Sequence, residues 1–216
     1  VSTDNEDESP VLKNLGVILD IPNTQTKRAG DLLFDKIVVW EDGGSYSDKA
    51  FGEFGELGKR KDAPNSPGVE YNYAVPVGTK VYAAGDGFAQ VFFIEHTQDW
   101  GINIQTKEGS RWNIGHEHLI NLVVADKAVV KAGDVLGEAT PSSMGYATTQ
   151  LAVWTGGTEG IYKYCPFSFL EDSLESTYEE KLQRIASDWE EFIGEDVYKQ
   201  EDWVAPGCLV DKIKEA

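Results

Sequence analysis

The chain has 216 residues, 41% of them hydrophobic and 11% aromatic, which is enough apolar material for one substantial core with extensions and is not the composition of a disordered polypeptide. Asp and Glu number 37 against 19 Lys and Arg, a formal net charge of -18, so nucleic acids and anionic membrane surfaces are repelled over the surface as a whole. No apolar run approaches the length of a membrane span.

Residues 1–10, acidic and without apolar periodicity, read as a flexible tail. A polar start at Val1 is what removal of an export signal, or trimming, leaves behind. Residues 11–67 form the next region. Val11 to Ile21 holds enough Leu, Val and Ile to add a strand or clasp, and Lys36 to Trp40 is a short β-rich run. Gly43 to Gly68, rich in Gly, Ser, Asp and Lys with Pro64 and Pro67 near its end, reads as a long surface loop of a kind that often carries function.

From 68 to 160 the chain reads as short strands parted by turn residues: Lys80 to Ala83, Phe88 to Glu95, Gly101 to Thr106, Arg111 to Leu119, Val135 to Glu138 and Gln150 to Trp154. The pattern predicts an antiparallel, mainly β domain. In 161–216 the period changes. Leu174, Tyr178, Leu182, Ile185, Ala186, Trp189, Phe192 and Ile193 recur at steps of three and four, which predicts one amphipathic helix packed on the β domain. Asp172 or Ser173 is expected to cap its start and Gly194 to end it. Cys165 and Cys208 flank this helix without a Cys-x-x-Cys pairing. In an exported protein they are expected to form a disulfide worth roughly 4 kcal/mol in the chain-entropy account; in a cytoplasmic one they are two buried thiols.

Four segments stand in a fixed order: Tyr73 to Gly87 (YAVPVGTKVYAAGDG), Gly115-His116-Glu117-His118-Leu119, Val129 to Gly137 (VVKAGDVLG) and Thr149 to Trp154 (TQLAVW). In order and spacing they resemble the lysostaphin-type (LytM-like) zinc endopeptidases, which cut peptide crosslinks in cell walls. The resemblance covers residues 68–156. It implies a mainly β fold, an antiparallel sandwich of the duplicated-hybrid-motif type, here followed by the C-terminal amphipathic helix. It also implies a secreted or cell-envelope location and a cell-wall or surface glycan, peptide or protein partner.

Such enzymes take zinc from a His-x-x-x-Asp segment before the Pro-x-Gly-Thr strand and from the second histidine of a late His-x-His strand. Carried onto this chain, the early histidine falls on Gly68 and the aspartate on Asn72; the late pair falls on Gln150 and Ala152. Only His118 keeps its counterpart. Gly and Ala offer no donor side chain, and Asn is a weak zinc donor beside a carboxylate. The family's zinc site and peptidase activity are therefore expected to be lost, with no cofactor retained.

One route back to catalysis remains. His116 and His118, two apart on a strand, point to one side about 7 Å apart and can share a metal with Glu70 or Asn72 as third donor. Against this, His118 is a retained pocket residue hydrogen-bonded to Asn72 or Gln150, and His116 takes the place of an aromatic ring. A groove without zinc still binds: Asn72, Gln150, Glu70, Tyr71, Trp112 and Trp154 are the candidate binding residues, aromatic faces beside amides suiting peptides or sugars. His96 is expected at a surface turn. There is no Gly-x-Ser-x-Gly elbow, and neither cysteine has a local histidine. Two readings follow: a secreted, catalytically degenerate domain that binds an envelope polymer or partner protein, or a hydrolase rebuilt around His116 and His118.

Overall fold

Alternation of apolar and polar residues sets the architecture. In the computed structural model, which describes residues 8–38, 48–57, 66–158 and 160–215, the described strands are β1 (Arg28–Ala29), β2 (Leu32–Leu33), β3 (Phe51–Gly52), β4 (Tyr71–Val75), β5 (Lys80–Tyr82), β6 (Gly87–Ile94), β7 (Asp99–Gln105), β8 (Trp112–Ile120), β9 (Val129–Val130), β10 (Val135–Pro141), β11 (Ala147–Gly157), β12 (Gly160–Tyr164) and β13 (Lys212–Lys214). One helix, α1 (Asp172–Ile193), lies between β12 and β13. The fold is mainly β, and every pairing between its strands is antiparallel. Each expected strand from Lys80 to Trp154 is present with ends shifted by a few residues.

Eleven strands join in one branched network: β13, β12, β11, β10, β8, β7, β6 and β9 in order, with β4 on β11, β3 on β4 and β5 on β10, while β1 and β2 pair separately. The long strand β11 is the hub. Its first half pairs with β4 and its second with β8 and β12. On the inner side Tyr71, Tyr73, Val75, Ile102, Ile104, Ile114, Leu151 and Val153 close the core, each at most 1% exposed.

The segment from Val11 to Ile21 is a clasp. Leu12, Leu15, Val17 and Leu19 are buried, and the backbone is tied by Lys13 N–H to Ala84 O (2.8 Å) and Tyr82 N–H to Gly16 O (2.8 Å). Lys36 to Val38 is a 3-10 turn, not the start of a strand; Val39 and Trp40 lie outside the described residues. Of the expected Gly43 to Gly68 surface loop, residues 43–47 and 58–65 also lie outside them. The part between is largely interior: Ala50, Phe51 and Phe54 are fully buried. Lys49 sits there between Glu53 (2.5 Å) and Glu56 (2.7 Å). Glu53 also accepts the Trp203 indole N–H, so charged residues that suggest a solvated loop instead form a buried ionic joint to the C-terminal region.

Helix α1 follows its apolar period and ends at Gly194, whose φ of 78° is the left-handed conformation that closes a helix. Its start differs from expectation. The cap is Glu171, with no side-chain bond to the backbone, because Ser173 Oγ donates to the Glu171 carboxylate instead (3.1 Å). The helix also docks elsewhere. Fully buried Trp189 meets Phe34 edge-on at 5.1 Å and donates its indole N–H to Asp48 O (2.6 Å), so the aromatic stripe packs on the N-terminal region rather than on the long strands. Cys165 and Cys208 are bonded to each other, 43 residues apart and spanning α1. No described helix is long and apolar enough to cross a membrane.

Candidate functional site

The outer face of the central strands is polar where the inner face is apolar. Successive residues on a strand face opposite ways, so Asn113, Gly115 and Glu117 of β8 turn outward between inward Ile114 and His116. The register sets them beside Asn72 of β4 and Gln150, Ala152 and Trp154 of β11: Gln150 lies opposite both Asn72 and Glu117, Ala152 opposite Gly115, and Trp154 opposite Asn113. Asn103 of β7, opposite Gly115, extends the face. Four of the candidate residues, Asn72, Gln150, Trp154 and Glu70, thus share one half-buried surface.

At its centre are two residues with almost no side chain. A Cβ on Gly115 would lie 3.3 Å from Asn103 Oδ1 and 3.5 Å from Trp154 Nε1, so the missing side chain lets an amide acceptor and an indole donor close over buried Gly115 and Ala152. Neither side chain has a hydrogen-bond partner among the described residues. Alongside, Gln150 Nε2–H donates to Asn72 Oδ1 at 2.5 Å, which fixes the orientation of both amides and leaves Gln150 Oε1 and Asn72 Nδ2 outside the bond. Along one side Lys163 lies 3.5 Å from Glu70 and over the Trp154 ring at 5.8 Å. Burial pushes the Glu70 carboxyl above its ordinary pKa against the opposing pull of Lys163.

The two histidines do not converge. Trp100 pairs with Leu119 but Ile102 pairs with His116, so a β-bulge sets Glu117 and His118 together against Gly101. His118 takes a φ of 59° there. The bulge breaks the alternation that would have placed His116 and His118 on one side. His116 is fully buried and accepts the Ala84 N–H at Nε2 (3.2 Å); its Nδ1 has no partner. Burial lowers its pKa to about 3, so it is a neutral core residue. His118 Nδ1–H donates to Asp99 Oδ2 at 2.8 Å, not to Asn72 or Gln150. Asp99 is 1% exposed and also accepts from Thr97 Oγ1 (2.5 Å). His118 Nε2 is thereby left open at the end of the polar face, on a side chain that is 17% exposed.

Zinc of the family's type does not fit these residues. The Asn72 oxygen is already committed to Gln150, and Ala152 has no donor. Gly68 is clamped by its backbone, its N–H on Glu56 O (2.7 Å) and its carbonyl on Gly55 N–H (2.7 Å). A Cβ there would stand 3.3 Å from Glu53 O. Among the described residues no group of three or more His, Cys, Asp or Glu is arranged to hold a metal.

Two candidate binding residues sit elsewhere. Tyr71 is fully buried, its hydroxyl donating to Pro206 O (2.6 Å) beside Cys208. Trp112 pairs with Thr155 and faces the side opposite Trp154, packed on Tyr164 and Phe169. Both follow from alternation, since each adjoins a residue of the polar face. Sequence reasoning missed Asp99, Asn103, Gly115, Glu117 and Lys163. Alternation along Asp99-Trp100-Gly101-Ile102-Asn103 points to Asn103, whereas the bulge that joins Asp99 to His118 has no signal in the sequence.

The chain matches no protein-family model and no curated protein. Solved structures of M23 and LytM-type peptidases do match it. A mutant catalytic domain of the prophage-encoded M23 protein EnpA from Enterococcus faecalis is 19% identical, with a TM-score of 0.40 over 53% of this chain and 88% of that one. LytU is 21% identical, with a TM-score of 0.41 over 55% and 81%. Lysostaphin is 15% identical, with a TM-score of 0.41 over 53% and 49%. Likenesses of this size carry no conclusion about activity, and the functional reading rests on the residues themselves.

Proposed function

We propose that the protein is a secreted, catalytically degenerate LytM-like domain that binds a cell-envelope polymer on the outer face of β4, β7, β8 and β11. The observation that carries this reading is the pair of half-buried polar side chains, Asn103 and Trp154, that meet over Gly115 and Ala152. Neither the Asn103 acceptor nor the Trp154 donor has a hydrogen-bond partner among the described residues, and the locked Asn72–Gln150 pair lies alongside. Half-buried polar groups without partners favour a ligand that brings its own donors and acceptors. An extended amide-bearing segment, whether a crosslink peptide or an N-acylated sugar of the same polymer, matches that pattern, with Trp154 as an apolar platform. The disulfide fits an oxidising compartment.

Sedimentation with insoluble peptidoglycan tests this. The protein is expected to co-sediment without releasing soluble fragments, and Trp154→Ala to weaken retention by about tenfold, roughly 1.4 kcal/mol. Retention that Trp154→Ala leaves unchanged removes the face from consideration.

The Asp99–His118 pair supports a second reading. A buried carboxylate that orients imidazole through Nδ1 and leaves Nε2 open is the arrangement of a general base. On that reading water is deprotonated at His118 Nε2, and the activity is hydrolysis without the family's zinc. Fragment release that disappears in both His118→Ala and Asp99→Asn would establish it over pure binding.

A further inference from the structure

On the opposite side of the sheet the β11–β12 hairpin borders a second concavity of about 340 Å³. Trp112 pairs with Thr155, and Thr155 with Tyr162, so these three residues and Tyr164, two further along β12, present their side chains to the same face. The cleft's aromatic wall is held by packing, with Trp112 at 5.1 Å from Tyr164 and 5.4 Å from Phe169. Its polar tips are open: the Trp112 indole N–H and the Tyr162 and Tyr164 hydroxyls have no hydrogen-bond partner among the described residues. Arg111, at the rim, already has a partner.

Charge makes the cleft specific. Lys212 and Lys214 of the edge strand β13 pair with Tyr164 and Tyr162 and therefore face the same way. Their ammonium groups stand 5.9 and 5.5 Å from the Tyr162 ring centre, and neither forms an ion pair among the described residues. Two cations beside one aromatic cleft are conspicuous on a chain with a net charge of -18. Screening over about 8 Å at physiological salt lets these near charges, rather than the distant acidic surface, govern a small ligand.

We propose that this cleft is a saccharide site for a sugar bearing a carboxylate. The apolar face of the pyranose lies against the aromatic wall, its hydroxyls meet the free indole and phenol groups, and its carboxylate sits by Lys212 and Lys214. A short acidic glycan segment suits the site, whereas a long polyanion is repelled by the rest of the surface. The site lies on the other face from Asn103 and Trp154 and does not rest on the polymer-binding reading.

Calorimetric titration with short oligogalacturonates, their methyl esters and a sulfated heparin oligosaccharide, combined with NMR of the tryptophan indole N–H groups, tests the proposal. The free acid is expected to bind with a shift confined to Trp112. Esterification is expected to weaken binding by at least about tenfold, and the double variant Lys212→Glu/Lys214→Glu by a similar factor. Both lysines are exposed, so that variant is expected to keep the wild-type circular dichroism and melting curve. Equal binding of acid and ester, binding unaffected by the double variant, preference for the sulfated sugar, or no binding of the acid each overturns it.

Discussion

His116 couples the core to pH. Its imidazole is fully buried, accepts the Ala84 N–H and has a pKa lowered from 6.5 to about 3 by burial. A group whose folded pKa is depressed leaves the unfolded chain binding more protons between those two values. The contribution is therefore complete above about pH 6.5 and is lost progressively as pH falls toward about 3. Each unit in that window is worth about 1.4 kcal/mol, so roughly 2 kcal/mol is gone at about pH 5 and about 5 kcal/mol at the acid end. The latter matches the whole stability of many domains.

The test is urea unfolding at a series of pH values on the wild type and on His116→Gln, which can still accept from Ala84 but does not titrate. The variant is expected to be less stable at neutral pH, by about 1–3 kcal/mol for disturbed packing and hydrogen bonding, and to lose less stability on acidification, so that the two curves approach or cross at about pH 5. Parallel curves would refute the burial argument, since the surface carboxylates titrate identically in both proteins.

Three further outcomes follow from the geometry. Replacing Cys165 and Cys208 with serine removes a closure across 43 residues and is expected to lower stability by about 4 kcal/mol in denaturant titration. Lys49→Met leaves Glu53 and Glu56 without the cation they share at 2.5 and 2.7 Å, and the melting curve is expected to record a loss of about 3–5 kcal/mol. Gly115→Val inserts atoms that begin 3.3 Å from Asn103 and 3.5 Å from Trp154 and so pushes both side chains out of place. Polymer retention is expected to fall at least about tenfold, and unchanged retention would place the ligand elsewhere.

Legibility in the sequence depended on how local the cause was. The strands from Lys80 to Trp154 and the helix ending at Gly194 were readable because alternation and the three-to-four period are written in adjacent residues. The same alternation separates Trp154 from Trp112 and Asn72 from Tyr71 once the register is known, but register is a pairing between distant strands. The Gly43 to Gly68 stretch misled for a related reason. Lys49, Glu53 and Glu56 look solvated until the contacts with Tyr198 and Trp203 from the far end of the chain are known. Asp99 was invisible as a partner of His118 because one extra residue in β8 brings them together, and composition does not mark a bulge.

Positions 68, 72 and 152 differ from a zinc site by more than their side chains. Were side chains the whole difference, a histidine at 68, an aspartate at 72 and a histidine at 152 would supply one. Two of the three positions are instead held by other interactions. The backbone of Gly68 is bonded to Gly55 and Glu56, and the space a histidine would enter is bounded by the Glu53 carbonyl. Asn72 is held by Gln150 and backed by Gly52, whose missing Cβ would lie 3.2 Å from that of Asn72. Glu53 is in turn fixed by Lys49 and Trp203, so the C-terminal region reaches through the 49–56 segment to the rim of the polar face. Building a zinc site there would mean displacing the Glu53 backbone carbonyl, on a residue whose side chain is fixed in the ionic joint, as well as changing three side chains. That interlock argues for a surface stabilised in its present form, with the amides of Asn72 and Gln150 locked together and His118 held by Asp99.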